Sequence, residues 1–440
     1  MSKSVLVPLC NEYANGDFTA TVSLVGVQSP LNLIIDTGSS GLAIKHCHVN
    51  KINVVATPFA QHLAYGEGSW TGPVVQTRLT IGDKRLPKYH CHIDKVFVAI
   101  AQNDNPHTFA QADGIIGLAY ESLNVAHDLT ALLDELGVSP NKTFPWPAAL
   151  SKSSEASIKH RILSSPKRPL TPYFDLLENH DVVANQFAFV VHRSSIYRGA
   201  NIQKQQEVSH PLNTGILILG EPKEHKHLHQ DDFINVKVVH DKYYNIHIRS
   251  IYVEGQEAIA FPRLESIHIE NYVSNGIVDS GASAIVFPRL VFSALRQQLI
   301  AHNSEFEACL APFKCFTGKE VGIAIDQVKL EQWPNICIEV DSPSGSVSKL
   351  TLTPNTYWQT HSPCADQIAF KITTLNDWPN QGILGLPLLN NYFTIFNRSK
   401  GQYGQIEFAN KTFSPHLLPD EQHRSLSLSQ QHFKDKGHLT

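Results

Sequence analysis

No apolar run in this 440-residue chain approaches the roughly 18 residues that a membrane-spanning helix needs. A secretory signal is missing too. The opening MSKSVLVPLCNEY has one lysine and a short apolar stretch broken by Pro8, Cys10 and Asn11, with no small-residue cleavage site. Net charge is small, formally −4 from 36 Lys+Arg and 40 Asp+Glu, which gives no electrostatic case for nucleic acid or an anionic membrane surface. Cysteines are few and odd in number, seven; without a signal, the expectation is reduced thiols in the cytoplasm. Helical periodicity is scarce as well, confined to residues near 126–137, 172–180 and 289–303.

Short β-type segments fill the chain. DFTATVSLVGV, VVQTRLTIGD, QFAFVVHR, GILILGE, NICIEVD and YFTIFNR are rich in Val, Ile, Phe and Tyr, and Gly, Asn, Asp or Pro bounds most of them. The fold class read from this is all-β with helical decoration, too long for one typical core. Residues 141–171, rich in Pro, Ser and Lys/Arg, read as a surface insertion, as does the polar 198–210; the tail from 411 reads as a poorly ordered end. Histidine is abundant, 23 residues, so mild acid would carry the net charge from −4 to strongly positive. Such a chain suits mild acid at most.

One phrase occurs twice. In LNLIIDTGSSGLAI (31–44) and GIVDSGASAIVFP (276–288) an aspartate ends an apolar run and is followed by a hydroxyl and a glycine. A buried carboxylate costs several kcal/mol unless it is paired or hydrogen-bonded, so two in matching settings point to two related halves and to a shared task. A second phrase doubles in the same order: ADGIIGLAY (112–120) and QGILGLPLL (381–389) each place two aliphatics before a glycine. Between the first pair lies AYGEGSWTG (64–72), a glycine-punctuated hairpin tip carrying Tyr65.

These motifs, together with PYFDLLENHDVVANQFAFVV and NTGILILGE, resemble the pepsin-like aspartic proteases over roughly residues 5–410, most nearly the bacterial pepsin homologues of the shewasin type. The resemblance implies a bilobal all-β fold, with lobes at 5–190 and 191–410 and a polar tail at 411–440. It implies that Asp36 and Asp279 share a proton and a water across a cleft. One carboxylate then takes the water's proton while the other hydrogen-bonds the peptide carbonyl. Gly38 and Gly281 would turn the chain and present amides to the carboxylates. Thr37 and Ser280 would lock the two turns, and Ser39 would donate to Asp36. Tyr65, with Gly66, Gly68 and Ser69, would form the flap; Ile34, Ile115 and Ile277 would give apolar pocket walls. The implied activity is cleavage of peptides or unfolded proteins between hydrophobic residues, pepstatin-sensitive, by a monomer without metal or cofactor. An inactive peptide- or protein-binding module on the same fold is the competing reading.

Two positions depart from the family pattern. Ala282 stands where the second turn would carry Ser39's counterpart, so Asp279 lacks a hydroxyl donor, which favours its protonated form and shifts expected activity toward mild acid. Ala43 stands where the family commonly has a tryptophan supporting the flap tyrosine; Trp70 is a possible substitute. Cys315 and Cys364 fall near a second-lobe disulfide of the family, expected only in an oxidising compartment. The repeated His-Cys-His at 46–48 and 90–92 could bind zinc, but strand alternation would point each cysteine away from its histidines.

Overall fold

The computed structural model describes residues 4–49, 54–65, 68–82, 90–102, 109–151, 155–199 and 207–412. Strands dominate; the longest helix among the described residues, Arg289–His302, has 14 residues, so the all-β reading holds. No helix among them is long and apolar enough to cross a membrane. Gly66 of the expected flap, residues 200–206 of the second insertion and 413–440 of the tail lie outside the described residues.

Contacts divide the chain into two compact units, one made of Met1–Phe18 with Val183–Thr440 and one of Thr19–Val182. The first 18 residues group with the distant segment because strand β1 (Val5–Cys10) pairs antiparallel along its whole length with Thr214–Leu219.

The Thr19–Val182 unit is built on β2 (Thr19–Leu24), β3 (Leu31–Asp36), β4 (Leu42–Lys45), β5 (Val55–Tyr65), β6 (Gly68–Gly82), β7 (His90–Ala101), β8 (Gly114–Gly117), β9 (Val125–Asp128) and β10 (Lys167–Pro169). Strand β2 pairs with both β3 and β6, so the path β6-β7-β4-β8-β3-β2 closes on itself. Closure removes sheet edges and explains why Leu31, Leu33, Ile35, Leu79, Ile81, Val96 and Val98 are all buried. Strands β5 and β6 extend from this ring as an antiparallel hairpin with Tyr65 opposite Gly68.

The His-Cys-His pair differs from expectation in one half. His46–His48 is a single 3-10 turn rather than a strand, closed by Val49 N–H donating to the His46 carbonyl at 3.2 Å. His48 reaches Asp113 at 2.9 Å, which in turn accepts from the Asn32 amide at 2.8 Å. The second copy lies on β7, where Cys91 is buried beside the Tyr173 hydroxyl.

In the other unit, β11 (Gln186–Val191) and β12 (Thr214–Leu219) continue into the antiparallel strands Tyr392–Asn397, Gln405–Lys411 and His229–Lys237. Ala188, Val190, Ile216, Ile218, Phe393 and Ile395 form one core there. A six-stranded sheet holds Gly276–Val278 and Gly382–Leu384 side by side, and two smaller sheets complete the unit. All seven cysteines are unbridged, Cys315 and Cys364 included.

Candidate active site

Strand β3 is buried along its whole length because it lies between β2 and β8, and its last residue is Asp36. The pairing with β8 is parallel and sets Ile34 beside Ile115 and Asp36 beside Gly117. Immediately after β3 the chain turns. The Gly38 amide donates to Asp36 Oδ1 at 2.7 Å, and Ser39 Oγ donates to Oδ2 at 2.5 Å. The turn is clamped from β8: Gly117 N–H donates to the Gly41 carbonyl, Leu118 N–H to that of Asp36, and Ala119 N–H to that of Ser39, all at 2.7–2.8 Å. A Cβ on Gly117 would lie 2.3 Å from the Ser40 nitrogen, so only glycine lets the two segments approach this closely.

Asp279 is set in the same way in its own unit. It follows Gly276–Val278, which pairs in parallel with Gly382–Leu384 and matches Ile277 to Ile383. The Gly281 amide donates to Asp279 Oδ1 at 2.8 Å, the Asp279 amide to the Leu384 carbonyl at 3.1 Å, and the Leu386 amide to the Ala282 carbonyl at 2.8 Å. A Cβ on Gly385 would sit 2.3 Å from the carbonyl oxygens of both Ala282 and Ala284. Gly385 therefore does for the second turn what Gly117 does for the first. Thr37 and Ser280 are both fully buried.

The two turns differ at their fourth position. Ser39 supplies a hydroxyl to Asp36, whereas Ala282 has none to give Asp279. Asp36 is buried and Asp279 half-buried. Ile34 and Ile277 are buried, and Ile115 is half-buried.

On the hairpin, Ala64 pairs with Ser69 and Leu63 with Trp70. The side chain of Tyr65 lies outside the described residues. Trp70 is 2% exposed, and its indole N–H has no hydrogen-bond partner among the described residues. Ala43 is fully buried, paired with Ala99 of β7 and Ile115 of β8.

Residues 202–410, which include the Asp279 turn, match the family model of eukaryotic aspartyl proteases. The match covers just under half of the chain. A second comparison pairs the chain with a vacuolar aspartic protease of Candida albicans, 28% identical over 134 residues. That match covers 27% of this chain and spans only 30% of the relative's length. The second copy of each doubled phrase and the parallel strand pair lie in the matched segment; the Asp36 turn lies outside it and repeats the glycine-amide bond to Oδ1. Sequence reasoning missed Gln61 and Asn124, two buried amides joined at 2.9 Å between β5 and the start of β9. A lone polar residue in a strand carries no pattern by which to find it.

Proposed function

We propose that the chain is an aspartic endopeptidase in which Asp36 and Asp279 act as one dyad on a shared water. The observation that carries this reading is the duplicated turn: each carboxylate ends a buried strand and accepts an amide hydrogen bond from the glycine two residues on. Such donors hold a carboxylate in place and favour its ionised form. With one proton between two carboxylates, the ionised member removes a proton from water and the resulting hydroxide attacks the peptide carbonyl carbon. The protonated member hydrogen-bonds the carbonyl oxygen as charge develops there. Collapse of the tetrahedral adduct breaks the C–N bond, with the proton passing to the departing amine. No covalent enzyme intermediate is required.

Ser39 donates its hydroxyl to Asp36, whereas Ala282 has none to give Asp279, so the two turns differ in how they hold their carboxylates. Tyr65 closes over the bound peptide with Gly68 and Ser69, and the buried Trp70 supports it. Ile34, Ile115 and Ile277 favour hydrophobic residues around the scissile bond. The protein works as a monomer on peptides or unfolded chains, and its unbridged cysteines fit a reducing, cytoplasmic setting.

The test is cleavage of a fluorogenic hydrophobic peptide from about pH 3 to 8, with and without pepstatin, for the wild type, Asp36→Asn and Asp279→Asn. A pepstatin-sensitive bell in mild acid, lost in both variants while their melting temperatures hold, is the expected result. Peptide binding without cleavage at any pH would instead establish a binding module.

A further inference from the structure

Composition makes 141–171 look like a surface insertion, and its ends are fastened to β5, the strand that leads to Tyr65, directly at the near end and through Asn124 at the far end. At the near end, Thr143 is fully buried. Its amide donates to the Thr57 carbonyl at 2.9 Å, and its hydroxyl shares one proton between the carbonyls of Thr57 and Phe59, at 2.9 and 2.7 Å. This is where β5 loses register with β6, between Ala56 and Ala60. Thr143 thus supplies donors inside the gap in the ladder, where a strand bends most easily. At the far end, the Leu170 amide donates to the Asn124 carbonyl at 2.8 Å, and Asn124 Nδ2 returns a bond to the Leu170 carbonyl at 2.9 Å. Asn124 Oδ1 accepts from Gln61 Nε2 on β5. The same Oδ1 lies 3.4 Å from where a Cβ on Gly41 would be, against the turn that follows Asp36.

Between these ends, Leu150 and Ile162 are buried with Ala60, Leu129 and Leu133 in a small core. The other strand of the hairpin is fixed at the same height. Thr71 and Gln102 exchange two backbone bonds, and Gly72 passes so close to Ile100 that a Cβ would lie 1.9 Å from its carbonyl oxygen. The hairpin is therefore anchored up to Gln61 and Thr71, and only its tip lies beyond.

We infer that residues 141–151 and 155–171 are a brace that sets the hinge of the β5–β6 hairpin, with Thr143 as the positioning residue for its closure over a peptide. The inference rests on the protease reading, but it concerns the hairpin itself and has a readout of its own. Thr143→Val keeps the shape of the side chain and removes only the hydroxyl bond. Losing one such bond at the hinge lowers the closed population about five-fold. KM for the peptide and the pepstatin dissociation constant rise together by about that factor, with kcat changed less than about two-fold, because the closed state once formed is the same. Thr143→Ser restores both constants.

Hydrogen exchange of the wild type and Thr143→Val, read over residues 59–65 and 68–75, separates the two ideas. Faster exchange confined to those segments and reversed in Thr143→Ser supports the brace whether or not the wild type cleaves peptides. Unchanged exchange there, or a rise spread evenly through the Thr19–Val182 unit with KM unaltered, overturns it. If Thr143→Val does not fold, Gln61→Leu severs the far end; the same local exchange signature is expected, and its absence is equally decisive.

Discussion

Replacing Ser39 with alanine would make the Asp36 turn a copy of the Asp279 turn, because Ala282 already lacks the hydroxyl. Ser39 Oγ lies 2.5 Å from Asp36 Oδ2, the geometry of a strong bond to an ionised oxygen. Hydrogen bonds to charged groups contribute about 1.5–3 kcal/mol. Ser39 is only half-buried, so water recovers part of this when the hydroxyl is removed. A net loss of about 1.4 kcal/mol is reasonable and corresponds to about ten-fold in rate. The hydroxyl holds the carboxylate that receives the water's proton in the proposed mechanism, so Ser39→Ala should lower kcat/KM by about that factor. The Gly38 amide still donates to Oδ1, so the turn should fold unchanged. The assay is kcat/KM for the wild type and Ser39→Ala on the same fluorogenic peptide. An unchanged kcat/KM in Ser39→Ala, with the melting temperature also unchanged, would refute the idea that this hydroxyl holds the carboxylate for its task.

Gly385→Ala places a methyl 2.3 Å from two backbone carbonyl oxygens, so a loss of at least about 2 kcal/mol in urea unfolding is expected, with activity lost as the Asp279 turn shifts. Trp70→Phe removes the buried indole N–H while keeping an aromatic ring; KM should rise a few-fold with the melting temperature nearly constant, and an unaltered KM would count against its support of Tyr65. Burial lowers the proton affinity of His62, His192, His210 and His225 below the ordinary 6.5, with nearby cations acting in the same direction. Below about pH 6.5 the unfolded chain therefore binds more protons than the folded one, and stability should fall with pH between about 7 and 5. A second loss is expected below 4.5: burial raises Glu320 and Glu407, but Lys371 with the Ser195 and Ser362 hydroxyls, and Lys223 with Gln405 and Asn397, more than offset it. Urea midpoints that are flat or rising from pH 7 to 5 would contradict the histidine step.

The geometry of the two turns was legible in the sequence because it is local. An aspartate, a hydroxyl and a glycine in succession bring the glycine amide back to the carboxylate over two residues, whatever the rest of the chain does. The strand content was legible for a similar reason, since β-branched and aromatic runs record burial on a pleated surface. Local pattern failed where contacts come from afar. Alternation reads His46–His48 as strand, but the chain closes a 3-10 turn there beside Asp113. Composition reads 141–171 as a surface insertion and gives no sign that Leu150 and Ile162 reach a core with Ala60 or that Thr143 bonds a strand 86 residues earlier. The first 18 residues pack with the segment from 183 onward because β1 finds its partner more than 200 residues away. Sequence alone determined the two carboxylate turns and the β class, since neighbours along the chain suffice for both. Tertiary structure alone decided what supports the hairpin, what surrounds Trp70 and which segments share a core, because those depend on side chains that meet only after distant strands have paired.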